Sequence, residues 1–87
     1  MKITVCDGVA KRQLGNELFF ITPFSSEVHT LNETGMIIFN ILERTGSIRE
    51  TSELMASEYE VEPDEVLEDI DDLLKRLTEV GILKIEE

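Results

Sequence analysis

Apolar and polar residues change rhythm at Asn32. Up to that point the chain offers short β-rich runs broken by turn residues. Beyond it, apolar positions recur at three- and four-residue spacing, the period of a helix rather than the two-residue period of a strand. "KITVC" (Lys2 to Cys6) reads as a first strand or a loose arm, followed by the Asp7-Gly8 turn signal. "VAKRQL" can form a short strand before Gly15-Asn16. "ELFFITPF" (Glu17 to Phe24) is an aromatic, β-branched strand that Pro23 ends or places on an edge. Ser25-Ser26 turns the chain into "EVHTL" (Glu27 to Leu31), the last strand of an N-terminal meander. There Val28 and Thr30 point to one face, and His29 and Leu31 to the other.

Three helices follow. Asn32 is a suitable N-cap, because its side-chain oxygen can accept a bond from a free first-turn amide, and Glu33 then sits at the positive end of the helix dipole. "MIIFNILERT" (Met36 to Thr45) is apolar around most of its circumference, which predicts a buried central helix stopped by Gly46. Ser47 followed by Glu50 fits a capping box for a second helix with Ile48, Leu54, Met55 and Tyr59 as its apolar stripe. Pro63 suits the first position of a third helix, although Glu62 before it is a poor cap; Gly81 is the expected stop. "ILKI" (Ile82 to Ile85) then pairs with a strand or packs on the core. The result is an α+β domain, a three-stranded N-terminal antiparallel sheet followed by a three-helix bundle, with the size and spacing of a winged helix-turn-helix.

The third helix carries the clearest periodicity. Val66, Ile70, Leu73, Leu77 and Val80 fall within an arc of roughly 80° at about 100° per residue. Leu67 and Leu74 lie outside that arc on one flank, continued by Asp71 and Thr78. Either the strands cover this flank, or it is a groove lined by Leu67 and Leu74 with acid at its rim. On the other faces Asp71–Lys75 and Asp72–Arg76 stand at i,i+4, the spacing of helix-supporting ion pairs.

Length and composition limit what such a chain can do. Its 87 residues make one domain over 1–87. A domain of that size buries roughly 60–65% of its unfolded surface, enough for one core but too little for a deep, separately walled active site. Hydrophobic content of 41% with 31% charge fits a folded chain rather than a disordered one. "MKITVCDGVAKR" lacks a long apolar run with a cleavage site, and no window approaches the roughly 18 apolar residues of a membrane span. The expectation is a cytoplasmic protein whose single cysteine, Cys6, is a reduced thiol; a reactive nucleophile would need a base nearby, and the one histidine, His29, is distant in sequence.

The net charge of −11 is unevenly placed: residues 1–47 hold five acids and four bases, and residues 48–87 hold fourteen acids and four bases. The acidic half repels phosphate backbones and anionic lipid, so neither nucleic acid nor membrane is an expected partner, and a neutral or basic one is favoured. The alternative reading is a solvated acidic surface that keeps a small domain soluble. No metal spacing of His and Cys, no Gly-rich phosphate loop and no distinctive carboxylate pair suggests an enzyme or a cofactor.

"TLNETGMIIFNIL", a second helix, and then "YEVEPDEVLEDIDDLLKRLTEVGIL" resemble the PqqD family of small peptide chaperones, whose fold is also called the RiPP recognition element. The resemblance covers Phe19 to Ile85. It rests on "LNETG", "YEVEPDEV", the acid Asp69 inside the third helix and the closing "VGIL" in that order; Glu62 departs from it, the family tending to Asp there. It implies binding without catalysis. The leader segment of a ribosomally made precursor peptide adds as a strand along the third strand and lies against the third helix. In this chain that implies a peptide beside Glu27, Val28, His29, Thr30 and Leu31, facing Leu67, Asp71, Leu74 and Thr78. Such a peptide should carry apolar anchors and Lys or Arg. It also implies a modifying partner, commonly a radical S-adenosylmethionine enzyme, in pyrroloquinoline quinone synthesis or a related pathway. The exposed edge allows a monomer or an edge-paired homodimer.

Two other classes compete. A winged-helix DNA-binding regulator suits the helical core, but the plausible recognition helices bear acids where phosphate contacts need bases. An acyl-carrier-like protein suits size and charge, but no Asp-Ser-Leu site is present and the strand-rich start does not fit.

Overall fold

The computed structural model describes residues 2–23 and 27–86; the turn expected at Ser25-Ser26, and Phe24, lie outside the described residues. In chain order the elements are β1 (Lys2–Val5), β2 (Ala10–Leu14), β3 (Glu17–Ile21), β4 (Val28–Leu31), α1 (Glu33–Thr45), α2 (Ile48–Tyr59), α3 (Pro63–Glu79) and β5 (Leu83–Glu86). The α+β organisation expected from the sequence is present, with β2-β3-β4 as an antiparallel meander ahead of the three helices.

The two ends, whose roles the sequence left open, pair with each other. β1 and β5 form a separate antiparallel ribbon with Ile3 opposite Ile85 and Val5 opposite Leu83. Ile3, Ile82 and Leu83 are buried in the common core, and the Cys6 N–H donates to the Ile82 carbonyl at 2.8 Å, so the ribbon is anchored by burial as well as by its ladder. This pairing matters for function, because it commits the C-terminal strand to a place away from β4.

In the meander, Leu18 stands opposite Leu31 and Phe20 opposite His29 on the inner face. Phe20 meets Phe39 of α1 edge to face, with centroids 5.3 Å apart and rings at 77°, the geometry the aromatic quadrupole favours. Lys11 ties the outer strand β2 to α1: its ammonium lies 3.0 Å from the Glu43 carboxylate and 5.4 Å from the Phe39 centroid. The opposite face of the sheet carries the cross-strand rows Ala10–Ile21–Val28 and Arg12–Phe19–Thr30, with Ile21 and Val28 exposed.

The helix ends follow their sequence signals closely. Asn32 Oδ1 accepts from the Gly35 N–H at 2.9 Å to start α1, and Gly46 ends it in the left-handed region, with its N–H donating to the Leu42 carbonyl. Ser47 Oγ accepts from the Glu50 N–H, one half of the expected box; the Ser47 N–H is taken by Thr45 Oγ1 at 3.2 Å. Glu62 makes no side-chain cap bond and Pro63 opens α3. Past its end the Gly81 N–H donates to Thr78 and the Ile82 N–H to Leu77, with Gly81 at φ +80°: a Schellman turn whose apolar contact is supplied by buried Ile82. That turn feeds the chain directly into β5.

Candidate functional site

β4 is the last strand of its sheet. It has β3 on one side, and among the described residues no strand pairs with the other. In an antiparallel pair alternate residues direct their N–H and C=O groups to the partner, so the remaining set on β4 is aimed away from β3. Such groups can receive a further strand.

Beside that edge runs a cleft of about 510 Å³. Its floor is apolar: Leu31 from β4, Ile38 from α1 and Leu73 from α3, all buried. One wall is the β4–α1 junction, with Thr30, Asn32, Thr34 and Gly35; the other is α3, with Asp69, Asp72 and Arg76. The junction is tight because strand passes to helix through Asn32 alone. Gly35 is part of that economy. A Cβ at position 35 would lie 3.3 Å from the Cβ of Leu31 and 3.4 Å from the capping oxygen of Asn32. Glycine inside a helix costs about 0.5–1 kcal/mol relative to alanine, and here it lets the first turn of α1 sit close on the floor residue.

The charge on the α3 wall is mixed, two carboxylates and one guanidinium. Among the described residues none of Asp69, Asp72 and Arg76 takes part in an ion pair or a side-chain hydrogen bond. Asp71 and Lys75 do form the expected i,i+4 pair, at 3.4 Å. The Asp72–Arg76 pair expected on the same grounds does not form.

The residues proposed from sequence reach the cleft from the strand side only. Thr30 and Leu31 line the cleft. Val28 is exposed on the outer face of the sheet; His29 turns inward, half-buried, 3.6 Å from the carboxylate of Glu27, which precedes the strand. From α3 the cleft takes none of Leu67, Asp71, Leu74 or Thr78. At 3.6 residues per turn these four lie on the side of the core stripe opposite Asp69, Asp72 and Arg76. Of the two leucines expected to line a groove on this flank, Leu74 is 6% exposed and belongs to the core, while Leu67 is 40% exposed. Leu74 is thus used inside the domain, where α2 rather than the sheet is the main packing partner of α3. Thr78 is likewise occupied, its hydroxyl donating to the Leu74 carbonyl at 2.7 Å.

Sequence reasoning missed Thr34, Gly35, Ile38 and Leu73 as cleft residues, took Asn32 only as a cap and Asp69 only as a motif residue, and took Asp72 and Arg76 only as a helix pair. Opposite charges at i,i+4 just beyond the edge of the apolar stripe were the available signal. That signal is the same on a solvated face, so the side that meets a cleft is decided by where the sheet docks.

These features define an α+β domain with an open sheet edge, that of β4, beside a helix-walled cleft. Comparison supplies the family. The family model described as Coenzyme PQQ synthesis protein D (PqqD) matches residues 17–83, and the chain belongs to the PqqD family. Two solved structures share the fold over almost the whole chain. "Lasso peptide synthetase B1 complexed with the leader peptide" superposes with a TM-score of 0.88 at 25% identity, covering 98% of this chain and 100% of that one. "TbiB1 in Complex with the TbiA(beta) Leader Peptide" gives 0.83 at 23% identity, with coverage of 100% and 99%. No curated protein matches the chain by sequence. The DNA-binding alternative finds no support: α3 carries seven acids and two bases, the wrong balance for a phosphate backbone.

Proposed function

We propose that this domain is a peptide chaperone that captures the leader segment of a ribosomally made precursor peptide and presents it to a modifying enzyme. The free edge of β4 beside the apolar-floored cleft carries the reading. A peptide strand laid along Val28–Leu31 gains backbone hydrogen bonds that demand little of its sequence, while side chains on its inward face reach the floor. The leader peptides named with both structural relatives support a leader peptide as the ligand. Family membership supports binding rather than catalysis, and a radical S-adenosylmethionine or other peptide-modifying enzyme as the second partner. Among the described residues no helix is long and apolar enough to cross a membrane. A homodimer paired through β4 would occupy the same groups, so peptide and edge pairing are mutually exclusive in this scheme.

The peptide beside the edge is placed against Asp69, Asp72, Leu73 and Arg76 rather than against the Leu67 flank. An amide-exchange experiment tests the reading. Labelled protein is titrated with synthetic N-terminal segments of short precursor peptides encoded next to its gene. Binding should protect the outward-facing amides of Val28–Leu31 from exchange and shift Asn32–Gly35. Protection confined to α2 or to the β1–β5 ribbon would overturn the assignment of the cleft.

A further inference from the structure

We infer that the cleft selects a bipolar strand: on one face a basic residue, then an apolar residue, then an acidic residue, each two positions apart. This rests on the strand-capture reading above and adds the chemical class of the peptide. Three observations carry it. First, Asp72 and Arg76 stay unpaired at a spacing where Asp71 and Lys75, one residue earlier, close at 3.4 Å. Second, with a rise of 1.5 Å per residue, Asp69 and Asp72 lie roughly 10 and 6 Å before Arg76 along the α3 axis, with Leu73 between Asp72 and Arg76. Third, same-face residues of a strand are spaced about 6.6–6.8 Å, so a base and an acid on either side of an apolar residue stand about 13 Å apart; with the reach of the Arg76 side chain and of a peptide Lys, they span the roughly 10 Å from Asp69 to Arg76 and leave the apolar side chain over the buried floor.

The general acidity of the C-terminal half predicts a preference for uniformly basic peptides. The cleft predicts otherwise. A second base on the inward face would meet Arg76, and a second acid would meet Asp69 and Asp72, so a mixed strand matches both ends of the wall.

Four synthetic heptapeptides decide between these. They share a Thr background with a central Leu and differ only at the two same-face flanking positions: Lys and Glu, Lys and Lys, Glu and Glu, or Gln and Gln. Each is titrated to millimolar concentration into labelled protein, and dissociation constants are read from the Val28–Leu31 amide shifts. The Lys–Leu–Glu peptide should bind most tightly, by about threefold per matched pair and roughly tenfold over Glu–Leu–Glu, the size expected of partly exposed ion pairs. In Arg76→Glu the order should invert so that Lys–Leu–Lys binds best, and Asp71→Asn, on the other flank, should leave the order unchanged. Equal affinities for all four peptides would overturn the bipolar selection and leave strand capture standing. No shift in Val28–Leu31 with any of them would overturn both.

Discussion

Two pairs of opposite charge stand one residue apart on α3, and they behave differently. Asp71 and Lys75 close on each other, on a flank whose neighbouring leucine, Leu74, is buried in the core. Asp72 and Arg76 remain apart, on a flank that walls the cleft beside the free edge of β4. The two pairs have the same spacing and the same order of charge, so helix geometry alone treats them alike. What separates them is the rest of the domain. α2 takes up most of the packing surface of α3, while β4, at the end of its sheet, leaves a gap along the other flank. One flank therefore sends a leucine into the core, and the other borders an open cleft.

Truncating a core leucine should make the largest difference between the flanks. Leu74→Ala is expected to cost about 2–5 kcal/mol of stability, because it removes buried methyls and leaves a cavity in a small core. The fraction that remains folded should bind peptide normally. A denaturant midpoint and an affinity measured well below it check both halves; a Leu74→Ala protein of normal stability with weakened binding would return the groove to the Leu67 flank.

Next in size is the junction that sets the cleft wall. Asn32→Ala removes the bond to the Gly35 N–H and should cost about 1 kcal/mol. Peptide affinity should fall only slightly, since the cap positions the strand end and the first turn of α1 without supplying the unpaired edge. Loss of binding in a fully folded Asn32→Ala protein would make Asn32 a contact residue. Smaller again is Leu67→Ala. With 40% of its surface exposed, Leu67 should contribute under about 1 kcal/mol to stability and nothing to peptide affinity. Thermal unfolding and the same titration test it.

The fold was largely legible in the sequence, because its signals are local. Asn32, Ser47, Pro63, Gly46 and Gly81 each act within a turn of their own position, and each marks an observed helix end. β4 was legible too, since the alternation of His29 and Leu31 against Val28 and Thr30 sets its two faces. The α3 wall was not. Leu67 and Leu74 drew attention as an apolar surplus, yet whether a surplus is covered depends on packing between elements distant in sequence. The pairing of β1 with β5 joins the two ends of the chain and has no local signature at all.

The smallest expected effect is the sharpest test of the comparison. A double-mutant cycle with Asp71→Asn and Lys75→Gln should give a coupling of about 0.3–0.5 kcal/mol in stability, the usual value for an exposed i,i+4 helix pair. The same cycle with Asp72→Asn and Arg76→Gln should give no measurable coupling in the free protein. Added salt should weaken the first coupling and leave the second unchanged. If Asp72 and Arg76 couple as strongly as Asp71 and Lys75, they satisfy each other in solution. A peptide would then have to break that pair before using either charge, and the distinction between a self-paired flank and an open one would fail.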